Sequence, residues 1–293
     1  MAINKKMILT GVTCAAAAVC FGTLFYFTQG QGRPSVEYEK LTFESRAETV
    51  PTTEPVEEEK TFGKARTGET GFARTLLRMN ADTVGWIHVP GTKVDYPVVQ
   101  SEDNDYYLHI GFDHKPFRAG ACFMDYRNRF GSDLESQSDN IIIYGHNMAN
   151  NSMFGSLRRY RQDHTYYETN PFVELSSNFE HYSYVIFGLV ITDGSASAEW
   201  RYWDMEEFQN EREFNQFIEN VRNKSLVDID VDVEYGDQLV TLSTCYSDAD
   251  NSRFLVVARK IREGEDPSSF FPEEETTETS TDITQETKES TER

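Results

Sequence analysis

From residue 84 to residue 261 the chain is cut by turn residues into eight short segments rich in Val, Ile, Tyr and Phe. They span 84–89, 96–99, 121–125, 140–144, 172–175, 182–192, 238–244 and 254–261. Branched and aromatic side chains fit a half-buried pleated surface, so each segment reads as a strand. Punctuation such as Pro90-Gly91 and Asp193-Gly194 reverses the chain between them. Many short strands at such spacing predict a mainly β domain, closed as a barrel or stacked as a sandwich.

Two helices stand out against this background. Residues 72–79 read as a short helix ahead of the first strand. A long helix falls between the sixth and seventh strands, where Phe214, Phe217, Ile218 and Val221 recur at i, i+3, i+4 and i+7 to make one apolar stripe. Asp204 with Glu207 three residues on has the spacing of a capping box, so this helix is expected to start there.

The flanks differ in kind from the middle. Residues 7–32 carry no charged side chain, and 7–27 alone are long enough to cross a bilayer as a helix, which takes roughly 20 residues. Lys5 and Lys6 precede the run, which puts the N-terminus in the cytoplasm and the rest of the chain outside. A cleaved signal peptide is the rival reading. Its apolar region would be shorter and would end at a small-residue cleavage site, whereas this run ends in Leu24-Phe25-Tyr26-Phe27. The expected organisation is therefore 1–32 cytoplasmic start and single-pass anchor, 33–61 acidic linker, 62–262 catalytic domain and 263–293 acidic Thr/Glu-rich tail. The linker and tail have little apolar periodicity and are expected to be disordered. The net charge is −21, and more than half of it sits in these flanks. Phosphate contacts need clustered Lys and Arg, so this acidity disfavours sequence-independent nucleic-acid binding, and no nucleic-acid partner is expected.

Four cysteines divide by position. Cys14 and Cys20 lie in the uncharged run, and Cys122 and Cys245 fall in the β-rich part. The latter two could pair, but a domain of about 200 residues buries enough core without a staple. Cys245 instead closes the strand Thr241-Leu-Ser-Thr-Cys245, and Arg253 opens the next one. If those strands are neighbours, thiol and cation share one end of the sheet. His146 follows Ile141-Ile-Ile-Tyr144-Gly145 and starts a loop at another strand end. A thiolate can attack a carbonyl, an imidazole can manage the protons, and a guanidinium can hold the oxyanion. Taken singly, each residue has a bland alternative: a packed thiol, a structural imidazole, a solvated charge. His109, Asp113 and His114 have loose metal-ligand chemistry, but no second cluster at zinc spacing accompanies them, so they read as surface loop residues and no metal is expected.

Together these segments resemble the sortases, the class B branch in particular. The resemblance rests on Val84-Gly-Trp-Ile87 with Tyr96-Pro-Val-Val-Gln100, Asp103-Asn104 with Tyr107-Leu108, Phe123-Met-Asp125-Tyr-Arg-Asn128, Tyr144-Gly-His-Asn-Met148, Met153-Phe154-Gly155, and Thr241-Leu-Ser-Thr-Cys245 followed by Arg253. It covers about residues 70–262, and the amphipathic helix before the seventh strand resembles the class B insertion. It implies an eight-stranded sortase β-barrel with an N-terminal helix and a long inserted helix between strands 6 and 7. It also implies a membrane-anchored cysteine transpeptidase of Gram-positive bacteria, working without a cofactor. Its partners would be secreted surface proteins bearing a C-terminal sorting signal of the Asn-Pro-x-Thr-x or Ser-Pro-x-Thr-x type, and a lipid II-like peptidoglycan precursor that supplies the acceptor amine. Cys245 would be the nucleophile, His146 the acid and base, and Arg253 the oxyanion holder or substrate clamp. Asn104, Ser243 and Thr244 match positions lining the class B groove. Trp200, Tyr202 and Trp203 either wall that groove or are ordinary packing. A free Cys has a pKa of about 8.5 and a His about 6.5, so a bell-shaped pH profile is expected for kcat/KM. Three alternatives stay open: a pilin-polymerising sortase with a lysine acceptor, a cysteine peptidase that releases product to water, and a non-catalytic peptide-binding surface barrel.

Overall fold

The eight apolar segments all find partners. The structure is a computed structural model that describes residues 70–131, 137–245 and 251–270. The strands are β1 (Thr83–His88), β2 (Asp95–Val99), β3 (Cys122–Met124), β4 (Asn140–Gly145), β5 (Phe172–Ser177), β6 (His181–Asp193), β7 (Leu239–Cys245) and β8 (Ser252–Lys260). They close into a barrel in the order β1-β2-β3-β4-β7-β8-β6-β5. Most neighbours are antiparallel, but β2 with β3 and β4 with β7 run parallel. The parallel β4 is covered on both sides, which is why Ile141, Ile142 and Ile143 are all buried in a continuous apolar run rather than an alternating one.

Helix α1 (Gly71–Met79) has Thr70 as its cap, with the Ala73 N–H donating to the Thr70 hydroxyl at 3.1 Å. It buries Phe72 and Leu76, and Phe72 meets Trp86 of β1 edge to face at 5.2 Å. Three short helices follow: α2 (Tyr106–His109), α3 (Arg158–Gln162) and α4 (Tyr166–Thr169). None shows in the sequence pattern, because four or five residues are too few for a helical period to register.

The inserted helix α5 (Glu211–Lys224) buries Phe214, Phe217, Ile218 and Val221, as their spacing predicts. Its start corrects the capping expectation. The cap is Asn210, whose side chain accepts from the Glu213 N–H at 3.1 Å, while the Glu213 carboxylate accepts from the Gln209 N–H at 2.9 Å. Asp204 lies instead in a 3-10 turn, Tyr202–Asp204, where it is held by Arg127 and Arg201. The helix docks on β6 at Gly188. A Cβ there would sit 2.2 Å from a Val221 methyl, so only glycine allows this approach.

The folded domain runs past residue 262, where the sequence places its end. Arg259 of β8 is fully buried, and Glu265 takes two hydrogen bonds from its guanidinium at 2.7 and 3.1 Å. Phe270 covers the same guanidinium, 5.4 Å from its ring centre. A buried cation without partners is costly, so the segment that neutralises Arg259 packs with the barrel. The expected anchor, the linker 33–61 and residues 271–293 lie outside the described residues. Among the described residues no helix is long and apolar enough to cross a membrane.

Candidate active site

His146 is aimed by the backbone on both sides of it. Gly145 ends β4 beneath the ring of Phe154, where a Cβ would lie 2.6 Å from the ring carbons. The loop then doubles back, and the His146 carbonyl accepts from the N–H groups of Met148 and Phe154 at 3.1 and 3.0 Å. Met153 closes this loop in the left-handed region at φ 50°, and its N–H donates to the Tyr96 hydroxyl at 3.0 Å. The ring nitrogen Nε2 lies 2.8 Å from the Leu108 carbonyl at α2. A carbonyl only accepts, so Nε2 carries the hydrogen and Nδ1 is the nitrogen left to take up and return a proton.

The β7–β8 register sets Cys245 directly opposite Arg253. The parallel β4–β7 register sets Gly145 beside Thr244, so His146 leaves its strand level with the end of β7. Three adjacent strands of the barrel thus bring the His, Cys and Arg positions to one rim. Arg253 is half-buried, its guanidinium donates to the Ser252 carbonyl at 3.1 Å, and it joins no ion pair among the described residues. Gly194 makes room for it: a Cβ there would sit 2.6 Å from Arg253 Cγ.

His146 and Arg253 line a cleft of about 220 Å³ together with Asn104, Leu108, Tyr144, Ser243, Tyr202 and Trp203. Of the residues expected in the groove, Asn104 is there, but its amide already has partners. Nδ2 donates to Asp125 at 2.9 Å and Oδ1 accepts from the Tyr126 N–H at 3.0 Å. Ser243 is there too, its hydroxyl 2.7 Å from that of Tyr202. Thr244 is not among the lining residues. It is 4% exposed, and strand alternation turns it to the face opposite Ser243. The aromatic cluster divides: Tyr202 and Trp203 wall the cleft, while Trp200 packs on Phe217 of α5 at 5.7 Å between ring centres.

The sequence reading missed what holds the cleft from behind. Asp125 is fully buried just after β3, and its carboxylate accepts from Arg127 Nε and Nη2, Asn104 Nδ2 and the Tyr144 hydroxyl, each at 2.9 Å. Burial alone would push its carboxyl up. The Arg127 guanidinium, the Arg127 N–H and Asn104 outweigh that and hold it below the ordinary carboxylate value. The Tyr144 hydroxyl is pushed up, first by burial and then by the Asp125 charge. The available signal was an Asp at a strand end followed two residues later by an Arg.

Among the described residues no three His, Cys, Asp or Glu side chains are grouped to hold a metal ion. Asp113 pairs with Lys115 at 3.0 Å, and His114 Nδ1 lies 3.3 Å from the Tyr106 hydroxyl. The other cysteine of the β-rich part, Cys122, is a free thiol buried in the barrel, and burial pushes its pKa up, away from reactivity.

Comparison with known proteins points the same way. The Sortase domain family matches residues 87–261. Sortase B of Listeria monocytogenes is 37% identical over 184 residues, which cover 63% of this chain and 71% of that protein. Among solved structures, the Staphylococcus aureus sortase B–substrate complex superposes with a TM-score of 0.57 at 33% identity, covering 65% of this chain and 84% of that one. A Bacillus anthracis protein described as similar to sortase B gives a TM-score of 0.61 at 33% identity, covering 79% of this chain and 100% of its own.

Proposed function

Since the chain belongs to the sortase family and is a cysteine transpeptidase, we propose that it cuts a C-terminal sorting signal after Thr and joins the new carboxyl end to an amine of a peptidoglycan precursor. The signal is of the Asn-Pro-x-Thr-x or Ser-Pro-x-Thr-x type. In the first half-reaction the Cys245 thiolate bonds to the Thr carbonyl carbon and Arg253 holds the oxyanion. The Thr–x amide C–N bond then breaks, and the leaving nitrogen takes a proton from His146 Nδ1. In the second half-reaction the acceptor amine gives a proton to Nδ1, its nitrogen bonds to the thioester carbon, and the C–S bond breaks. Cys245 is released and a new amide remains.

The observation that carries this reading is the registry of three neighbouring strand ends. Cys245 stands opposite Arg253, His146 follows the residue paired with Thr244, and His146 and Arg253 share one cleft. The Staphylococcus aureus sortase B solved with a substrate lends support to a peptide occupant. The uncharged run 7–27 behind Lys5 and Lys6 supports an N-terminal anchor in the cell membrane, with the barrel on the outer side.

Mass spectrometry tests this. The protein is mixed with peptides carrying Asn-Pro-Gln-Thr-Asn, Ser-Pro-x-Thr-Gly or Leu-Pro-x-Thr-Gly, with and without an added amine. The expected result is an adduct on Cys245 cut after Thr, absent in Cys245→Ala, with the amine appearing in the product. An adduct that is only hydrolysed points to a peptidase. No adduct from a folded protein with a free thiol would leave a barrel that only binds.

A further inference from the structure

The cleft has two walls from distant parts of the chain, and we propose that Asp125 and Arg127 are positioning residues that set the distance between them and so the fit of the sorting peptide. This rests on the cleft being the peptide groove. One wall carries Asn104 and Tyr144, and both side chains donate to the buried Asp125 carboxylate. The other wall is the turn Tyr202–Asp204, which presents Tyr202 and Trp203 to the cleft. Arg127 spans the two. Its Nε and Nη2 donate to Asp125, Nη2 also to the Trp203 carbonyl, and Nη1 to Asp204 at 3.0 Å. Four of the five N–H donors of one planar group are thus spread over both walls, a geometry that an ammonium cannot copy.

The arrangement is more than a fold staple. The segment behind the turn has its own ties to the barrel: Asn140 Nδ2 donates to the Met205 carbonyl at 3.0 Å, and the Asn140 N–H donates to that of Glu206 at 3.1 Å. The Arg127 side chain is only 24% exposed, so Arg127→Lys, which keeps most of the aliphatic stem and loses the planar fork, is the variant that separates bridging from packing. What its loss removes is the tie from the Asp125 wall to the Trp203 carbonyl and Asp204, while the Tyr202 hydroxyl keeps its own bond to Ser243. Neither Asp125 nor Arg127 lines the cleft, so both act through other residues.

Arg127→Lys keeps a cation beside Asp125 but cannot reach both walls, and Asp204→Asn weakens the same bridge from the other end. For wild type, both variants and the double variant, three quantities are measured: kcat and KM with the best sorting peptide, the rate of Cys245 alkylation by iodoacetamide, and the melting curve. Each single variant is expected to raise KM about tenfold with kcat within about threefold, the signature of lost binding rather than lost chemistry. Alkylation is expected within about twofold of wild type, because a small reagent does not need the walls. The double variant is expected to be no worse than Arg127→Lys alone, because both remove one bridge. Cooperatively melting variants with wild-type KM, or with a fall in kcat alone, would overturn the proposal. So would loss of cooperative melting in Arg127→Lys, which would make the pair part of the fold. A wild-type protein that forms no adduct with any peptide removes the functional reading itself, whereas a normal adduct with unchanged KM in the variants removes only this inference.

Discussion

The Tyr202 and Ser243 hydroxyls lie 2.7 Å apart, both buried, and tie the insertion between β6 and α5 to the strand that ends in Cys245. Ser243 stands two residues before Cys245 in the chain, so this bond ties the aromatic wall to the C-terminal end of β7. Tyr202→Phe and Ser243→Ala are each expected to cost about 1 kcal/mol, the usual worth of a buried hydrogen bond. The double variant is expected to cost less than the two together, because each single change already removes the shared bond. Urea denaturation of the four proteins checks this, and strict additivity would show that the hydroxyls do not act as a pair.

Arg253 is expected to act through its shape. Among the described residues it joins no ion pair within 4 Å, although its charge helps to lower the Asp193 carboxyl, and its only side-chain hydrogen bond there is to the neighbouring Ser252 carbonyl. Arg253→Lys keeps the charge and loses the fork, so the melting temperature should stay near wild type. Peptide turnover should fall by on the order of 100-fold, the usual effect of losing one oxyanion donor. Steady-state kinetics decides it, and near wild-type kcat would mean that charge alone suffices.

The Asp125 carboxyl titrates below its ordinary value of 3.8 when folded. Burial opposes this shift, but Arg127 and the other donors prevail. A carboxyl held low in the folded state binds its proton more readily when unfolded. Its stabilising effect is therefore complete above about pH 4 and is lost as pH falls through the folded value. Asp125→Asn is expected to be less stable than wild type at pH 7 by about 3 kcal/mol, since Arg127 loses its anion. The gap should narrow as pH drops below 4. Melting curves from pH 7 to pH 2.5 test the sign, and a gap that widens on acidification would contradict it.

The C-terminal segment should matter for stability. A chain ending at Arg262 leaves the buried Arg259 without Glu265, with Asp237 4.0 Å away as the nearest remaining carboxylate. Removing one member of a buried pair costs about 3 kcal/mol, or roughly 10 °C in Tm for a domain of this size. Calorimetry of chains ending at 262 and at 272 measures it, and equal melting would place the end of the fold at the last strand.

Much of this molecule is local information and was readable. Strand positions followed from branched and aromatic runs between turn residues, and the stripe Phe214, Phe217, Ile218 and Val221 announced α5. The pairing of Cys245 with Arg253 was legible because β7 and β8 are successive strands with a short connection. The start of α5 was misread because Asp204 and Glu207 have the spacing of a cap as truly as Asn210 and Glu213 do. Spacing does not reveal that Asp204 is already engaged by Arg127, which lies 77 residues earlier in the chain.

The sequence by itself determined the mainly β architecture, the inserted helix and the three residues with the right chemistry, because periodicity and residue type act over a few positions. Only the tertiary structure decided that their three strand ends lie side by side on one rim of the barrel. β4 and β7 are far apart in the chain and pair in parallel, a contact that forms because each strand can bury both faces only when the barrel closes. The same closure placed Asp125 behind Asn104 and Tyr144 and brought the Tyr202–Asp204 turn within reach of Arg127. A buried carboxylate takes whatever donors the fold delivers, and which donors those are is decided by the packing of distant segments rather than by the residues beside it.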